Sequence, residues 1–428
     1  MKYVKTAGWA TSILLAGTVT LVNGCGTSSG SGGGGSNSSG KKITLTLMDY
    51  YTSGQGDTEM NTLISEYEKE NSNVTINRTS VPGGSYQQKV LQEATANSLP
   101  DVLMLDNPMV PDIASTGVLV PLTTLGHIDT NNFPKGSLSE GLYNNSLYAL
   151  PNGNNTIGLF YNKKMFQQAG IKQPPQTWAQ LVTDAKKLTN GSTYGFAFSG
   201  ASGIGNVAWQ TEPFFWTDGG DLKNNIDSAG TKNTLNLLLT MEKDGSMPQD
   251  VVNWNQQDVQ NQFQEGKVAM VINGPWIVPS LQQIRGLSYG ISTIPVPKVG
   301  DTVVSPLGGE VWTVTKQNSS TEQAAFKFIQ WLADTKQNQI AWNTANQTIP
   351  AYTPAMDAVV SKYPYLKTFE TEVKTARART ADLGTNYPNA VNIWGTALQS
   401  VLTGKASVDQ ALATAKSATQ QMLSSSSQ

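Results

Sequence analysis

Residues 265–276 read Glu-Gly-Lys-Val-Ala-Met-Val-Ile-Asn-Gly-Pro-Trp, and this stretch decides the fold. Residues 268–272 form an unbroken apolar run, short enough for a strand buried on both faces. Asn273 is a candidate N-cap, and Pro275 suits a first helical turn because its missing N–H would have no partner there. The stretch therefore predicts a buried strand, a tight turn and a helix start. It places Trp276 at the carboxyl end of the strand, where open α/β sheets bind their ligands.

Residues 266–276 resemble the signature of extracellular solute-binding proteins of ABC sugar importers, the group that includes maltose-binding protein. In that family the tryptophan of Asn-Gly-Pro-Trp stacks on a sugar ring, so the resemblance implies that Trp276 contacts the ligand. From the stretch alone, a core aromatic beside the strand is an equal alternative. Further segments resemble the family, in the right order, along nearly all of residues 43–420.

Strand and helix patterns alternate along the chain. Ile43, Leu45 and Leu47 alternate with threonines, as in a strand, and residues 102–105 form another apolar run. Such alternation predicts an α/β fold with helices on its sheets, and 428 residues are too many for one ordinary core. The resemblance implies a two-lobed periplasmic-binding-protein-like fold, in which each lobe is a mostly parallel sheet flanked by helices and the ligand cleft lies between the lobes. The expected lobes are residues 43–153 plus 309–361 and residues 154–308 plus 362–428.

The N-terminus has the pattern of an export signal followed by a tether. Two lysines precede an apolar run, so residues 1–24 are predicted to be a signal peptide. The single cysteine, Cys25, follows Leu-Val-Asn-Gly, which resembles a lipobox and implies a lipoprotein that carries palmitate. The rest of residues 25–42 is mostly serine and glycine, as in a flexible linker. We therefore expect anchoring to the outer face of the cell membrane through Cys25, with a secreted protein bearing a free thiol as the alternative.

The composition argues against several classes of function. The net charge is −2 and no basic block occurs, so nucleic acid is not an expected partner. One cysteine and one histidine, His127, exclude an internal disulfide and a Cys/His zinc site. We expect no metal and no other cofactor.

Several candidate ligand contacts follow strands in the first half of the chain. Tyr51 comes just after the first strand, and Asp106 and Asn107 come at the end of the third. In maltose-binding proteins an aspartate and an arginine at this third strand bind sugar hydroxyls, and here Asp106 matches whereas Asn107 does not. A turn cap before Pro108 is the alternative role for Asp106. A family glutamate that contacts sugar falls at Asn155, which keeps a hydrogen-bonding group without the charge.

Residues 209–216, Trp-Gln-Thr-Glu-Pro-Phe-Phe-Trp, resemble a further family segment. There, Glu-Pro-aromatic-aromatic supplies a carboxylate and stacking rings. The resemblance assigns the carboxylate to Glu212 and candidate rings to Phe214 and Trp216.

A second crossing between the lobes is expected near residues 306–309. Gly308 and Gly309 allow the backbone to bend and approach a ligand closely. We therefore expect their backbone N–H groups, together with the carboxylate of Glu310, to contact the ligand. Tyr387 is a further candidate for an aromatic ring that faces the cleft from the second lobe.

These residue types suit a neutral sugar, which offers hydroxyl edges and flat C–H faces. None of the candidate contact residues is an arginine or a lysine, which argues against a phosphate or another anion. The resemblance implies a monomeric substrate-binding lipoprotein, not an enzyme, that captures a sugar or oligosaccharide, malto-oligosaccharide-like, by hinge closure. It would deliver this ligand to the permease subunits of an ABC importer. The alternative is a secreted glycoside hydrolase with Asp106 and Glu212 as a carboxylate pair, about 5–10 Å apart.

Replacing the single cysteine tests the lipid anchor. Cys25→Ser removes the one thiol that could carry a lipid, and we expect the protein to move from the membrane fraction into the culture medium or the soluble extracellular fraction. Fractionation followed by immunoblotting measures this. Retention of the variant on membranes would contradict anchoring through Cys25.

Overall fold

Two β-sheets, each flanked by helices, form the two lobes of this α/β fold. The structure, a computed structural model, describes residues 42–425. The predicted signal peptide at residues 1–24, Cys25 and the linker up to residue 41 lie outside the described residues. The strands are β1 (Ile43–Asp49), β2 (Val74–Ser80), β3 (Val102–Asp106), β4 (Leu142–Tyr143), β5 (Ser146–Leu147), β6 (Ala149–Pro151), β7 (Gly158–Asn162), β8 (Tyr194–Ala197), β9 (Val268–Asn273), β10 (Tyr289–Ser292), β11 (Pro306–Leu307), β12 (Glu310–Val314) and β13 (Arg377–Ala378).

Helices connect these strands and cover the two main sheets. Within residues 42–425, none of them is both long enough and apolar enough to cross a bilayer. They are α1 (Gly54–Glu70), α2 (Gly83–Thr95), α3 (Val110–Ser115), α4 (Lys135–Ser139), α5 (Lys163–Gln168), α6 (Trp178–Leu188), α7 (Trp209–Thr217), α8 (Ala229–Lys243), α9 (Gln256–Gln264), α10 (Val278–Gln282), α11 (Ser319–Ala333), α12 (Lys336–Asn346), α13 (Thr353–Lys362), α14 (Leu366–Val373), α15 (Tyr387–Leu402) and α16 (Val408–Ser425).

The first lobe is built on a five-stranded sheet in the order β2-β1-β3-β12-β6. Its central strand β3 is apolar from Val102 to Leu105, because both faces of the sheet are covered there. Val102 and Met104 belong to the core on one face, whereas Leu103 and Leu105 belong to the core on the other. The uninterrupted apolar run therefore follows from burial of β3 between two helical layers.

The second lobe is built on a four-stranded sheet in the order β10-β7-β9-β8. Every residue of β9 is buried, as its apolar sequence predicts. The largest core cluster of the described residues surrounds this sheet and includes β9, α7 and α15. The strand predicted from residues 268–272 is thus the centre of the second lobe.

One strand in each main sheet runs against the others. Strands β1, β2, β3 and β6 share one direction, and β12 opposes them. Strands β8, β9 and β10 likewise share a direction that β7 opposes. The expectation of mostly parallel sheets is confirmed, and each reversed strand directly follows a segment that crosses between the lobes. A chain that arrives from the other lobe enters the sheet at its carboxyl edge and must run backwards.

The crossing segments are hydrogen-bonded to one another. The N–H of Asn155 donates to the carbonyl of Gly308 at 2.7 Å, and the N–H of Gly308 donates back at 2.9 Å. Asn154 and Ile349 exchange the same pair of bonds at 2.6 and 3.1 Å. Three chain segments therefore form a narrow joint between the two sheets.

The lobe limits expected from the sequence remain predictions, although the main sheets are consistent with them. All strands of the five-stranded sheet fall in residues 43–153 and 309–361. Val359 and Val360 of α13, however, belong to the core cluster of the second lobe. Helix α13 therefore packs on the core of the second lobe, although the expected limit at residue 361 assigns nearly all of it to the first lobe.

The turn after β9 differs in detail from its prediction. Asn273 is not an N-cap, because it is the last residue of β9, and its side-chain oxygen accepts from the N–H of Gly274 at 2.9 Å. A short 3₁₀ turn, Pro275–Ile277, follows, with Gly274 in the capping position. Pro275 occupies the first turn as expected, because no helical acceptor is available for a donor there.

Gly195 provides a test of the packing of α6 on the second sheet. A Cβ at this position would lie 1.9 Å from the carbonyl oxygen of Ala185 in α6. We therefore expect Gly195→Ala to lower the free energy of unfolding by about 1–3 kcal/mol or more, as overpacking does. Denaturant-induced unfolding measures this. Gly191→Ala is the matched control, because Gly191 is exposed with open space around its Cα, and it should change stability by less than about 0.5 kcal/mol. Equal midpoints for the two variants would contradict the close approach.

Candidate functional site

A cavity of about 350 Å³ is lined by residues from both lobes. Its volume lies within the roughly 300–1,000 Å³ that small-molecule sites occupy. The wall combines four aromatic rings with carboxylate, guanidinium, amide and hydroxyl groups. The lining residues are Tyr50, Tyr51, Asp106, Asn155, Gly205, Trp209, Gln256, Trp276, Glu310, Asn346, Thr348 and Arg379. Of the residues predicted to bind a ligand, the structure brings Tyr51, Asp106, Asn155, Trp276 and Glu310 together here.

Asp106 and Glu310 lie opposite each other at the carboxyl edge of the first sheet. Asp106 ends β3, Glu310 begins the reversed strand β12, and the two residues are direct partners in the antiparallel pair. Side chains of such partners lie on the same face of the sheet, with Cβ atoms roughly 5 Å apart. The crossing chain therefore delivers a second carboxylate beside the one at the end of β3.

Two indole rings form the opposite part of the wall. The rings of Trp209 and Trp276 have centroids 6.4 Å apart at an interplanar angle of 33°. Trp276 is only partly buried, and a Cβ at Gly274 would lie 2.0 Å from its ring, so the indole folds back over the glycine. Trp209 is buried, and its Nε1 has no hydrogen-bond partner among the described residues. This part of the wall thus offers ring faces.

Arg379 brings a cation to the cavity that the sequence did not predict. One terminal nitrogen of its guanidinium donates to Asp106 Oδ1 at 2.6 Å and also to Asn107 Oδ1. The guanidinium carbon lies 4.5 Å from the centre of the Trp209 ring, within cation–π range. Burial by itself lowers the pKa of Arg379, but Asp106, Tyr387 and Glu212 together more than offset this, so the pKa is raised. The expectation that the cleft contains no arginine is wrong.

The carboxylate of Glu310 is held by a tyrosine. Tyr50 Oη donates to Glu310 Oε1 at 2.5 Å. Burial and the neighbouring Asp106 raise the pKa of Glu310, and this hydrogen bond opposes them. Tyr50 and Tyr51 stack on each other with ring centroids 5.2 Å apart. The first-lobe wall therefore includes two tyrosine rings beside two acidic groups.

Asn107 links buried residues behind the cavity by hydrogen bonds and is not part of the cavity wall. It is buried, and its amide nitrogen donates to Glu140 and, at 3.2 Å, to the carbonyl of Leu307, while its oxygen accepts from Arg379. Burial raises the pKa of Glu140 well above its usual range, and Arg379 acts in the opposite direction. Asn107 was predicted as a ligand contact, but internal partners already engage both ends of its amide.

The two glycines of the second crossing shape the joint and do not line the cavity. The N–H of Gly308, predicted to bind a ligand, donates instead to the carbonyl of Asn155. A Cβ at Gly308 would lie 2.5 Å from the Trp209 ring. Gly309 has φ +157°, and a Cβ there would lie 2.1 Å from the Gly153 carbonyl oxygen. Side chains are excluded at both positions because backbone and ring approach so closely.

The carboxylate and aromatic residues predicted from residues 209–216 lie behind the cavity. Glu212, Phe214 and Trp216 are buried, and so is Tyr387, whose hydroxyl donates to Glu212 Oε1 at 2.7 Å. Tyr387 therefore does not face the main cavity as predicted, because its hydroxyl satisfies a buried carboxylate. Glu212, Trp216 and Tyr387 border a separate, much smaller cavity of about 10 Å³.

Sequence reasoning missed seven residues of the cavity wall. Two had a local signal, because Tyr50 precedes the predicted Tyr51 and Trp209 opens the same helix as Glu212. Gln256 follows a capping asparagine at the start of α9. Arg379 carried no signal, since it directly follows β13, a two-residue strand that pairs with β11. The others, Gly205, Asn346 and Thr348, reach the wall through tertiary packing.

The described residues offer no group of histidine, cysteine, aspartate and glutamate that could hold a metal ion. The residues that line the cavity offer hydrogen bonds, charge and ring stacking.

Known proteins similar to this chain bind solutes. Residues 62–368 match the family described as bacterial extracellular solute-binding protein. The galactooligosaccharide-binding protein of Bacillus subtilis is 26% identical over 370 residues, which cover 82% of this chain and 85% of that protein. A maltooligosaccharide ABC transporter solute-binding lipoprotein of Streptococcus pneumoniae is 26% identical over 378 residues, which cover 83% of this chain and 84% of that protein.

Solved structures share the two-lobed fold. The GacH receptor of Streptomyces glaucescens, solved without ligand and with acarbose, has a TM-score of 0.79 to this chain at 24% identity. The match covers 90% of this chain and 99% of that one. At this level of identity the likeness shows the fold.

The buried Glu212 predicts a pH dependence of stability. Burial raises its pKa from 4.5 to about 7, against the opposing hydrogen bond from Tyr387. Between these two values the folded protein binds more protons than the unfolded chain, so this group's contribution to stability falls as the pH rises from about 4.5 to 7. The shift corresponds to roughly 3 kcal/mol. Glu212→Gln, which stays uncharged, should match the wild type near pH 5 and exceed its stability near pH 8 in denaturant unfolding.

The exposed Glu66 provides the control for this measurement. Glu66→Gln removes a carboxylate from the surface of α1, where no burial penalty is relieved, and should not reproduce the gain in stability that Glu212→Gln shows near pH 8. Parallel profiles for the wild type and Glu212→Gln would contradict the raised pKa of Glu212.

Proposed function

The chain belongs to the family of bacterial extracellular solute-binding proteins, and we propose that its solute is a neutral sugar or oligosaccharide, malto-oligosaccharide-like, bound in the cavity around Trp276. In this proposal the protein closes on the ligand and delivers it to the permease subunits of an ABC importer. The names of two relatives, which bind galactooligosaccharides and maltooligosaccharides, support this class of ligand.

The observation that carries the proposal is the pairing of ring faces with a polar rim in one cavity. Trp209 and Trp276 offer flat π surfaces, which suit the C–H face of a sugar ring. Asp106, Glu310 and Asn155 offer acceptors and an amide at the rim, where hydroxyl groups would lie. An apolar ligand would leave these polar groups without partners, and burying them unpaired is costly.

The energies available match an ordinary transport affinity. A micromolar complex needs about 8 kcal/mol. Hydrogen bonds to charged groups contribute roughly 1.5–3 kcal/mol each, and stacking adds to them. A few contacts to Asp106 and Glu310, together with the indole faces, supply this after the cost of ordering the ligand.

We propose that the two lobes close by hinge bending at the joint that contains Asn154 and Gly308. The lobes are residues 43–153 plus 309–361 and residues 154–308 plus 362–428. Closure would bring Asp106 and Trp276, which come from different sheets, onto the same ligand. The permease would then recognise the closed form. We also propose a monomer, held to the outer face of the membrane by lipidated Cys25.

We propose that the protein binds sugar without cleaving it. The alternative hydrolase required Asp106 and Glu212 as a catalytic pair. Glu212 is fully buried, accepts from Tyr387 and does not line the main cavity, while Asp106 is paired with Arg379. Neither carboxylate is placed as an acid–base pair around one bond in the cavity.

A thermal-shift screen tests the ligand class. The panel contains glucose, maltose, maltotriose, galactobiose and glycerol 3-phosphate. A bound sugar should raise the melting temperature in proportion to RT ln(1 + [L]/Kd), which is about 2.7 kcal/mol at a hundredfold excess over Kd. Chromatography of the same samples detects cleavage. The proposal would be contradicted if glycerol 3-phosphate alone stabilised the protein or if no saccharide did. It would also be contradicted if the stabilising oligosaccharide were cleaved.

Removing the indole of Trp276 tests the stacking contact. Trp276→Ala should weaken binding of the stabilising sugar by at least about tenfold, or 1.4 kcal/mol, because the ring face is lost. The melting temperature of the ligand-free variant should stay close to that of the wild type, since the indole is partly exposed. Isothermal titration calorimetry measures the affinity.

Trp331 provides a matched control. It is also partly buried, but it lies on α11, outside the cavity wall, and its Nε1 donates to Glu70. Trp331→Ala should leave the affinity unchanged. An equal loss of affinity in both variants, or collapse of the ligand-free fold in Trp276→Ala, would show that Trp276 acts through the structure.

A further inference from the structure

Acidic side chains outnumber basic side chains in the wall of the main cavity. Asp106 and Glu310 are carboxylates, and Arg379 is the only lysine or arginine among the residues that line the wall. Asp106 and Arg379 form an ion pair of 2.6 Å, in which the arginine side chain is 3% exposed and the aspartate 32%. Pairing cancels the one positive charge and leaves Glu310, so the wall as a whole is acidic.

Arg379 is nevertheless built to hold an anion. Only one of its terminal nitrogens bonds to Asp106, and its Nε is buried with no hydrogen-bond partner among the described residues. A guanidinium presents paired N–H groups that match a carboxylate or phosphate in a two-point contact. The ring of Trp209 supports its flat face. Without Asp106, this arginine would be an oriented cation at the wall of a sugar-sized cavity.

We propose that Asp106 determines the charge specificity of the cavity, because it occupies Arg379 and so excludes sugars that carry a carboxylate or phosphate. This inference rests on the proposed function and narrows its ligand class to uncharged saccharides. A uronate or sugar phosphate entering the wild-type cavity meets the Asp106 carboxylate and a guanidinium that is already paired with it. Placing like charges together at an interface costs several kcal/mol.

Two further carboxyl groups lie behind the cavity, near Arg379. Glu140 and Glu212 are buried close enough to Arg379 that its charge lowers the pKa of each, against the larger effect of burial. Either one could ionise and replace Asp106 as the partner of Arg379. The experiment is therefore run at pH 6, below the pKa of Glu212 at about 7, where that residue carries a proton. A uronate is still ionised at this pH.

The test is the binding of D-glucuronate to the wild-type protein and to Asp106→Asn. Tryptophan fluorescence is the readout, because Arg379 lies on Trp209. The wild type should show no saturable change at millimolar glucuronate, and Asp106→Asn should bind it at least about tenfold more tightly. The double variant Asp106→Asn/Arg379→Gln should lose this gain, since the cation is gone. Saturable binding by the wild type, or no gain in a folded Asp106→Asn, would overturn the inference.

Two further variants keep the result interpretable. Asp357→Asn removes an exposed negative charge from α13, outside the cavity wall, and should not gain glucuronate binding. A gain in this variant would show that net charge causes the effect and would overturn the role of Asp106. Arg379→Gln leaves Asp106 unpaired and should gain at least about tenfold affinity for D-glucosamine, whose ammonium fits the freed carboxylate. This second variant applies if Asp106→Asn does not fold, and a folded Arg379→Gln without that gain would also overturn the proposal.

The same samples separate this inference from the proposed function. The glucuronate and glucosamine measurements report only charge pairing at Asp106 and Arg379. Binding of maltotriose and the other neutral saccharides reports the sugar-binding function. A gain of glucuronate binding in Asp106→Asn with no neutral saccharide bound by the wild type would support the charge pairing and refute the proposed function.

Discussion

The joint between the lobes is the constraint on which the rest of the structure depends. Asn154, Asn155, Gly308 and Ile349 exchange backbone hydrogen bonds across three chain segments that run side by side. Two of these segments, those at Asn155 and Gly308, then enter the next sheet from its carboxyl edge and form a reversed strand, β7 in one lobe and β12 in the other. Both sheets therefore present strand ends towards the same joint, and the cavity is lined by residues from those ends.

This geometry explains why acidic groups meet at the cavity. A parallel sheet alone would place Asp106 at its edge without a close neighbour from the crossing chain. The reversed strand β12 begins where β3 ends, so Glu310 becomes the direct partner of Asp106. Two neighbouring carboxylates need compensation, and they have it: Arg379 pairs with Asp106, and Tyr50 donates to Glu310. The arrangement satisfies both charges while leaving oxygen atoms at the wall.

A second layer of buried polar groups holds this arrangement in place. Asn107 links Arg379 to Glu140, and Tyr387 satisfies one oxygen of Glu212. Asn107, Glu212 and Tyr387, which were predicted from the sequence as ligand contacts, therefore lie behind the cavity and do not line its wall. These residues resemble the binding residues of the family in type, but because they are buried they have no access to the main cavity.

The sequence by itself determined the fold class, the central strand β9, the solute-binding family and five residues of the cavity wall. The fold class and β9 follow from local patterns, namely the alternation of strand and helix and an apolar run that ends in a glycine and proline turn. The family follows from the resemblance of several segments, and the wall residues follow from that resemblance together with their positions near strand ends. The tertiary structure decided that Arg379 reaches Asp106 across 273 positions, that the Gly308 N–H is already bonded, and that Tyr387 lies buried against Glu212. The physical reason is that periodicity reports which face of an element is apolar, whereas charge pairing and close backbone approach depend on which elements meet. Two strand ends brought together at one joint cannot be read from either strand alone.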